Sequence, residues 1–118
     1  GKVVAVLSSH FLNAVDGSHA GAVAVTLVAI RGNGQRETLF SAESDEGGRF
    51  SQRFEATTGK TYEMVIASGA YFKQADLPRS GAQILEEIVV RFTTPDPDCS
   101  YHIPVIMAPN SYSCWWSA

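Results

Sequence analysis

The feature that most constrains this chain is a succession of short β-branched or alternating runs, each closed by glycine, proline, asparagine or aspartate. Lys2 to Leu12 contains VVAVL, starting at Val3, and Ala22 to Ile30 reads AVAVTLVAI, with Asp16-Gly17-Ser18 as the turn between them. Gly32-Asn33-Gly34 is a hairpin turn leading into Arg36 to Ala42. After Asp45-Glu46-Gly47-Gly48, Arg49 to Phe54 alternates polar and aromatic residues at period two. Thr57 to Lys60 turns the chain into Thr61 to Ile66. Glu86 to Thr93 reads as a strand because the run from Ile88, IVVRFTT, outweighs the helical look of Leu85-Glu86-Glu87-Ile88. Pro95-Asp96-Pro97-Asp98 is a rigid turn. Ala108-Pro109-Asn110-Ser111 then folds the segment from Tyr101 to Ala118 into a hairpin that ends on Trp115-Trp116. A short helix fits in one place, Ser68 to Gln74, with Ser68 as N-cap and Asp76-Leu77-Pro78 as its stop. Eight strands at this spacing with one helical turn predict an all-β sandwich.

The length of 118 residues predicts a single domain, 1–118, with enough chain to bury a real core. A net charge of −3 without a block of like charges argues against nucleic acid or an anionic membrane surface as partner. No apolar run has the length of a membrane span. Cys99 and Cys114 fall at different heights of the terminal hairpin, since its turn sets Cys114 opposite residue 104 or 105. At about 3.3 Å per strand residue the two sulfurs cannot meet, so two free thiols are expected. Free thiols favour a cytoplasmic location, and a signal peptide removed ahead of Gly1 would make it periplasmic.

The three histidines and two cysteines show no metal-ligand spacing, so no metal site is expected. Gly32-Asn33-Gly34 leads to a strand and not to the helix a phosphate loop requires, and no G-x-S-x-G elbow is present. His19 lies in a loop and reads as a solvated residue. His10, Arg49 and His102 remain as polar residues within apolar strand patterns. Singly, each has a structural explanation as a half-buried histidine or a turn charge.

Together they gain meaning from a resemblance. LSSHFLNAVDGSHAGAVAVTL, SDEGGRF, TYEMVIASGAYF and YHIPVIMAPNSYS, in this order and spacing, resemble the transthyretin-related 5-hydroxyisourate hydrolases over nearly the whole chain. The resemblance implies a two-sheet, eight-stranded sandwich with a short helix after the fifth strand. It further implies a homotetramer, a dimer of dimers, with active sites in the channel between dimers and no cofactor. The catalytic set it implies is His10, Arg49 and His102. Opening a purine-derived ring with water suits those residue types. Histidine offers a base near neutral pKa, and the arginine fork holds a planar, carbonyl-rich substrate and its developing oxyanion.

The chain departs from the resemblance at its end, which reads Trp115-Trp116-Ser117-Ala118 where these hydrolases carry Tyr-Arg-Gly-Ser. By strand alternation within the implied fold, Ser113, Trp115 and Ser117 should face the channel with His10, Leu12, His102 and Ile106, and Cys114 and Trp116 should point away. Leu12, Ile106, Ser113, Trp115 and Ser117 are therefore expected to bind substrate. Three functions compete: a hydroxyisourate hydrolase with a variant terminus, an enzyme moved to another aromatic or heterocyclic substrate, and a non-catalytic small-molecule binding protein. The retained His10, Arg49 and His102 put the hydrolase first.

Overall fold

A computed structural model describes residues 3–74 and 81–117. The elements run β1 (Val3–Asn13), β2 (Ala24–Ile30), β3 (Arg36–Glu43), β4 (Arg49–Ala56), β5 (Thr61–Ile66), α1 (Ser68–Gln74), β6 (Ile88–Thr93), β7 (Ser100–His102), β8 (Val105–Ala108) and β9 (Ser111–Cys114). They form two sheets, one in the order β4-β1-β8-β9 with β7 also on β1, the other β3-β2-β5-β6. This is the expected two-sheet transthyretin-like sandwich. Its eight strands appear as nine segments because β7 and β8 are one run along β1 broken at Ile103-Pro104, where proline has no N–H to give the ladder.

Period-two alternation builds the core. Ala5, Leu7 and Phe11 of β1 point inward with Val25, Leu27 and Ala29 of β2 and Tyr62, Met64 and Ile66 of β5. Ser9 also points inward, and its hydroxyl donates to the Ile103 carbonyl at 2.6 Å. Phe72 anchors α1 in the same core, and the Gly69 N–H donates to the Glu86 carbonyl at 2.9 Å. That bond keeps Glu86 in the segment steadying the helix start, so the sixth strand begins at Ile88 and not at Glu86. The second strand likewise starts at Ala24 and not at Ala22, because Ala22 adopts a left-handed φ of 57° and its N–H turns to the Ser44 carbonyl at 2.9 Å. Lys2, Ala118 and the helix stop Asp76-Leu77-Pro78 lie outside the described residues.

The terminal hairpin turns where expected, and Cys114 pairs with Val105. Asn110 does more than turn the chain. Its Nδ2 donates to the Ala82 carbonyl and its Oδ1 accepts the Ile84 N–H, both at 2.7 Å, tying residues 82–84 to the hairpin tip. Cys99 and Cys114 are free, as expected.

Candidate active site

The outward face of the β4-β1-β8-β9 sheet collects the polar residues singled out above. Ser8, His10 and Leu12 share this face of β1 by alternation. Arg49, the first residue of β4, pairs with His10, His102 pairs with Ser8, and Ile106 pairs with Leu12. Ser113 pairs with Ile106 one strand further out. Beyond β9 the chain stays in register, with the Trp115 N–H toward the Pro104 carbonyl at 3.4 Å and the Ser117 N–H on the His102 carbonyl at 2.8 Å. All eight candidate residues thus fall on one face. Trp116 turns the other way and packs against Tyr101, ring centroids 6.2 Å apart.

The turn between β3 and β4 sets Arg49 in its position. The Asp45 carboxylate accepts the N–H groups of Gly47 and Arg49, each at 2.9 Å, and the Gly48 N–H closes on the Asp45 carbonyl. Gly48 has φ +78°, and a Cβ there would stand 2.5 Å from the Phe11 carbonyl oxygen, so only glycine lets this turn lie flat on β1. Among the described residues the Arg49 guanidinium has no side-chain hydrogen bond or ion pair, whereas Arg31, Arg36 and Arg91 are each paired with a glutamate. The His102 Nδ1 lies 2.9 Å from the Ser8 hydroxyl, which orients the ring.

A cavity of about 390 Å³ opens here, lined by Ser8, Ser9, Asp45, Arg49, Phe50, Ser51 and His102. A larger one of about 480 Å³ lies between the loop around Gly32 and that around Gly59, lined by Ile30, Arg31 and Lys60 among others. It holds no histidine, cysteine or carboxylate, so the smaller cavity is where base chemistry is available. Asp96, Asp98 and Cys99 form one cluster of metal-capable side chains among the described residues, all exposed in the turn before β7.

The His10 pKa is lowered from its ordinary 6.5, first by burial and then by the positive charges of Arg49, His19 and His102, with the Gly47 carbonyl acting in the opposite sense. His10 is thereby held toward the neutral imidazole, the form able to accept a proton, beside a guanidinium with no ion pair among the described residues. Such a set can activate water and stabilise an oxyanion.

Two residues here were missed by the strand pattern. Ser8 gave no signal, being one serine of a Ser-Ser pair. His19, expected to be solvated, is exposed but engaged: its backbone bridges Leu12, and its ring meets His10 edge to edge, centroids 4.9 Å apart and Nδ1 2.8 Å from His10 Nε2. The available signal was the short return from Asn13, closed by Asp16-Gly17-Ser18. Such a return brings the following residue back beside β1.

The profile of the HIUase/transthyretin family matches residues 7–116. The chain is 30% identical over 113 residues to the 5-hydroxyisourate hydrolase of Halalkalibacterium halodurans, covering 92% of this chain and 94% of that one. It is 28% identical over 112 residues to 5-hydroxyisourate hydrolase 2 of Rhizobium meliloti, covering 92% of each. The solved structure of Klebsiella pneumoniae 5-hydroxyisourate hydrolase superposes with a TM-score of 0.74 at 25% identity, over 96% of this chain and 99% of that one.

Proposed function

This chain belongs to the HIUase/transthyretin family, and we propose that it hydrolyses 5-hydroxyisourate, opening the purine-derived ring with water. The observation that carries this is the meeting of His10, held toward its neutral form, with the unpaired Arg49 and the Ser8-held His102 on one sheet face. In the proposed reaction His10 takes a proton from water as its oxygen bonds to a ring carbonyl carbon. Arg49 faces the negative charge that develops on the carbonyl oxygen. The ring carbon–nitrogen bond then breaks, and the nitrogen leaves with the proton returned from His10, so the protein ends unchanged. Leu12, Ile106, Ser113, Trp115 and Ser117 would wall the substrate. Sequence likeness to proteins named for this activity supports the choice of substrate.

One observation favours a second reading, a diverged enzyme for a larger aromatic or heterocyclic substrate. Trp115 lies on the same face with 46% of its surface exposed, offering a broad π-face where the resemblance expects tyrosine. The test is spectroscopic, with freshly generated 5-hydroxyisourate and the native protein beside its His102→Ala variant. The expected outcome is acceleration over spontaneous decay that falls by roughly a hundredfold in the variant. No acceleration by the native protein would shift the assignment to the second reading.

The site is also proposed to lie in a channel between copies of this chain. Trp115 is exposed on the same face as the half-buried Leu12 and Ile106, an apolar surface that a partner copy would cover. Among the described residues β4 and β9 end one sheet and β3 and β6 the other, and β6 and β9 are edges through which copies could pair. A homotetramer formed through these edges and then face to face would cover both. Light scattering at micromolar concentration should give the mass of four chains, and the mass of one chain would refute the assembly.

A further inference from the structure

Among the described residues, the His10–His19 pair is a contact that the implied catalytic set does not explain. Its geometry follows from the fold. His19 bridges Leu12, flanked by the Asn13 N–H on the Ser18 carbonyl and the Ala20 N–H on the Phe11 carbonyl. A residue opposite Leu12 points to the same face and is the diagonal neighbour of His10, two residues along β1, within reach of a ring. The two rings meet edge to edge with their planes 24° apart and His19 Nδ1 2.8 Å from His10 Nε2. The same Nδ1 lies 3.0 Å from the Gly47 carbonyl.

The Gly47 carbonyl also favours a proton on His10, but the hydrogen-bond geometry it completes is with His19 Nδ1, which points to His19 as the donor. A carbonyl oxygen only accepts, so the contact is a hydrogen bond when His19 Nδ1 carries the proton. The N–H is then shared between Gly47 O and His10 Nε2, which must offer its lone pair. His10 accordingly carries its own proton on Nδ1. We propose that His19 is a positioning residue for His10: held by the Gly47 carbonyl, it selects the His10 tautomer that carries its proton on Nδ1 and leaves the Nε2 lone pair as acceptor, and keeps that ring aligned for taking a proton from water. When substrate binds, the exposed His19 ring can give way to the reacting water while the turn that holds Gly47 stays fixed.

The charged groups around His10 are consistent with a neutral ring. Arg49 faces it from β4 and His102 from β7, both opposing a second positive charge. The Asp45 carboxylate in the adjoining turn is engaged by the N–H groups of Gly47 and Arg49, and Asp16 in the loop ahead of His19 is engaged by Ser18. Neither is hydrogen-bonded to His10.

The rate readout rests on the hydrolase assignment, so a second readout is independent of it. Long-range proton–nitrogen NMR spectra of the histidine rings report tautomer and titration directly, for the native protein, His19→Ala and His19→Asn. The Asn side chain offers N–H groups at the position of His Nδ1 but has no titratable ring. The native protein should show His10 protonated on Nδ1. His19→Ala should shift His10 toward the Nε2-protonated form and raise its titration point, moving the acid limb of the kcat/KM profile to higher pH. Its kcat should fall roughly tenfold with KM unchanged. His19→Asn should retain both the tautomer and most of kcat. A His10 spectrum unchanged in His19→Ala, or an Asn variant no better than Ala, would overturn the proposal. If the native protein leaves hydroxyisourate untouched, the hydrolase assignment fails while the ring spectra still decide the role of His19.

Discussion

The two outer faces of the sandwich handle charge in opposite ways. On the β3-β2-β5-β6 sheet, Glu63 is nearly buried between two arginines. Arg91 pairs with it directly across the β5–β6 ladder, and Arg36 reaches it across β2, at 2.9 and 2.5 Å. The carboxylate has a cation on each oxygen, and Arg36 first, then Arg91, holds its pKa below the ordinary 4.5 against the opposing effect of burial. On the β4-β1-β8-β9 sheet, Arg49, His10 and His102 stand together with no carboxylate bound to any of them among the described residues. A cation set beside a titratable ring without a counter-ion is a feature of sites where a ligand supplies the missing partner. The first face is a closed circuit and the second an open one, which leaves the second free to take a ligand.

Removing one group from each face should give mirrored phenotypes. Arg49→Ala should lower kcat/KM for hydroxyisourate by about 10²–10³, the range for losing an oxyanion stabiliser, and leave the melting temperature unchanged or slightly raised. Glu63→Gln should leave turnover intact and cost about 2 kcal/mol of stability, because two arginines lose the charge they share. The pH dependence fixes the sign. The folded pKa of Glu63 is depressed, so its contribution is fully present above the unfolded value near 4.5 and is lost as pH falls through the lower folded value. The stability gap between native protein and Glu63→Gln should therefore close in acid. Urea midpoints at pH 7 and pH 3 measure this, and a gap independent of pH would break the contrast between the faces.

Most of the fold could be read from the chain because each strand is bounded by residues with their own turn chemistry. The Gly32-Asn33-Gly34 and Pro109-Asn110 turns fixed two hairpins, and the alternation of β1 fixed which of its residues are buried. The misplaced ends, Ala22 and Glu86, arise where tertiary hydrogen bonds, from the Ala22 N–H to the Ser44 carbonyl and from the Gly69 N–H to the Glu86 carbonyl, override local propensity. The alignment of His10, Leu12, His102, Ile106 and Ser113 follows from strand register once β1 is known to pair with β8 in parallel. Parallel pairing between the ends of a chain leaves no local trace, and the resemblance supplied it. Loop residues follow neither rule. His19 meets His10 through a turn conformation set by Asp16 and Ser18, which no strand period encodes.

The terminus offers the smallest effect and tests which side of the contrast it belongs to. Trp115 lies on the open face, and Trp116 packs on Tyr101 behind it, so the adjacent indoles turn to opposite sides of the sheet. Tyr101 itself staples the turn before β7, its hydroxyl donating to the Asp96 carbonyl and accepting the Asp96 N–H. Exchanging the last four residues, Trp115→Tyr, Trp116→Arg, Ser117→Gly and Ala118→Ser, would narrow the wall and return a cation to the end of the chain. A stacking contact of about 0.5–1.5 kcal/mol corresponds to roughly a two- to twelvefold change in rate or affinity. Hydroxyisourate hydrolysis should rise within that range, while affinity for larger flat heteroaromatics should fall by a similar factor. Losing the Trp116–Tyr101 contact should lower the melting temperature by a few degrees, as expected for about 1 kcal/mol in a domain of this size. If hydrolysis stays flat while the melting temperature drops and the oligomer persists, both tryptophans are packing residues and the open face ends at His102.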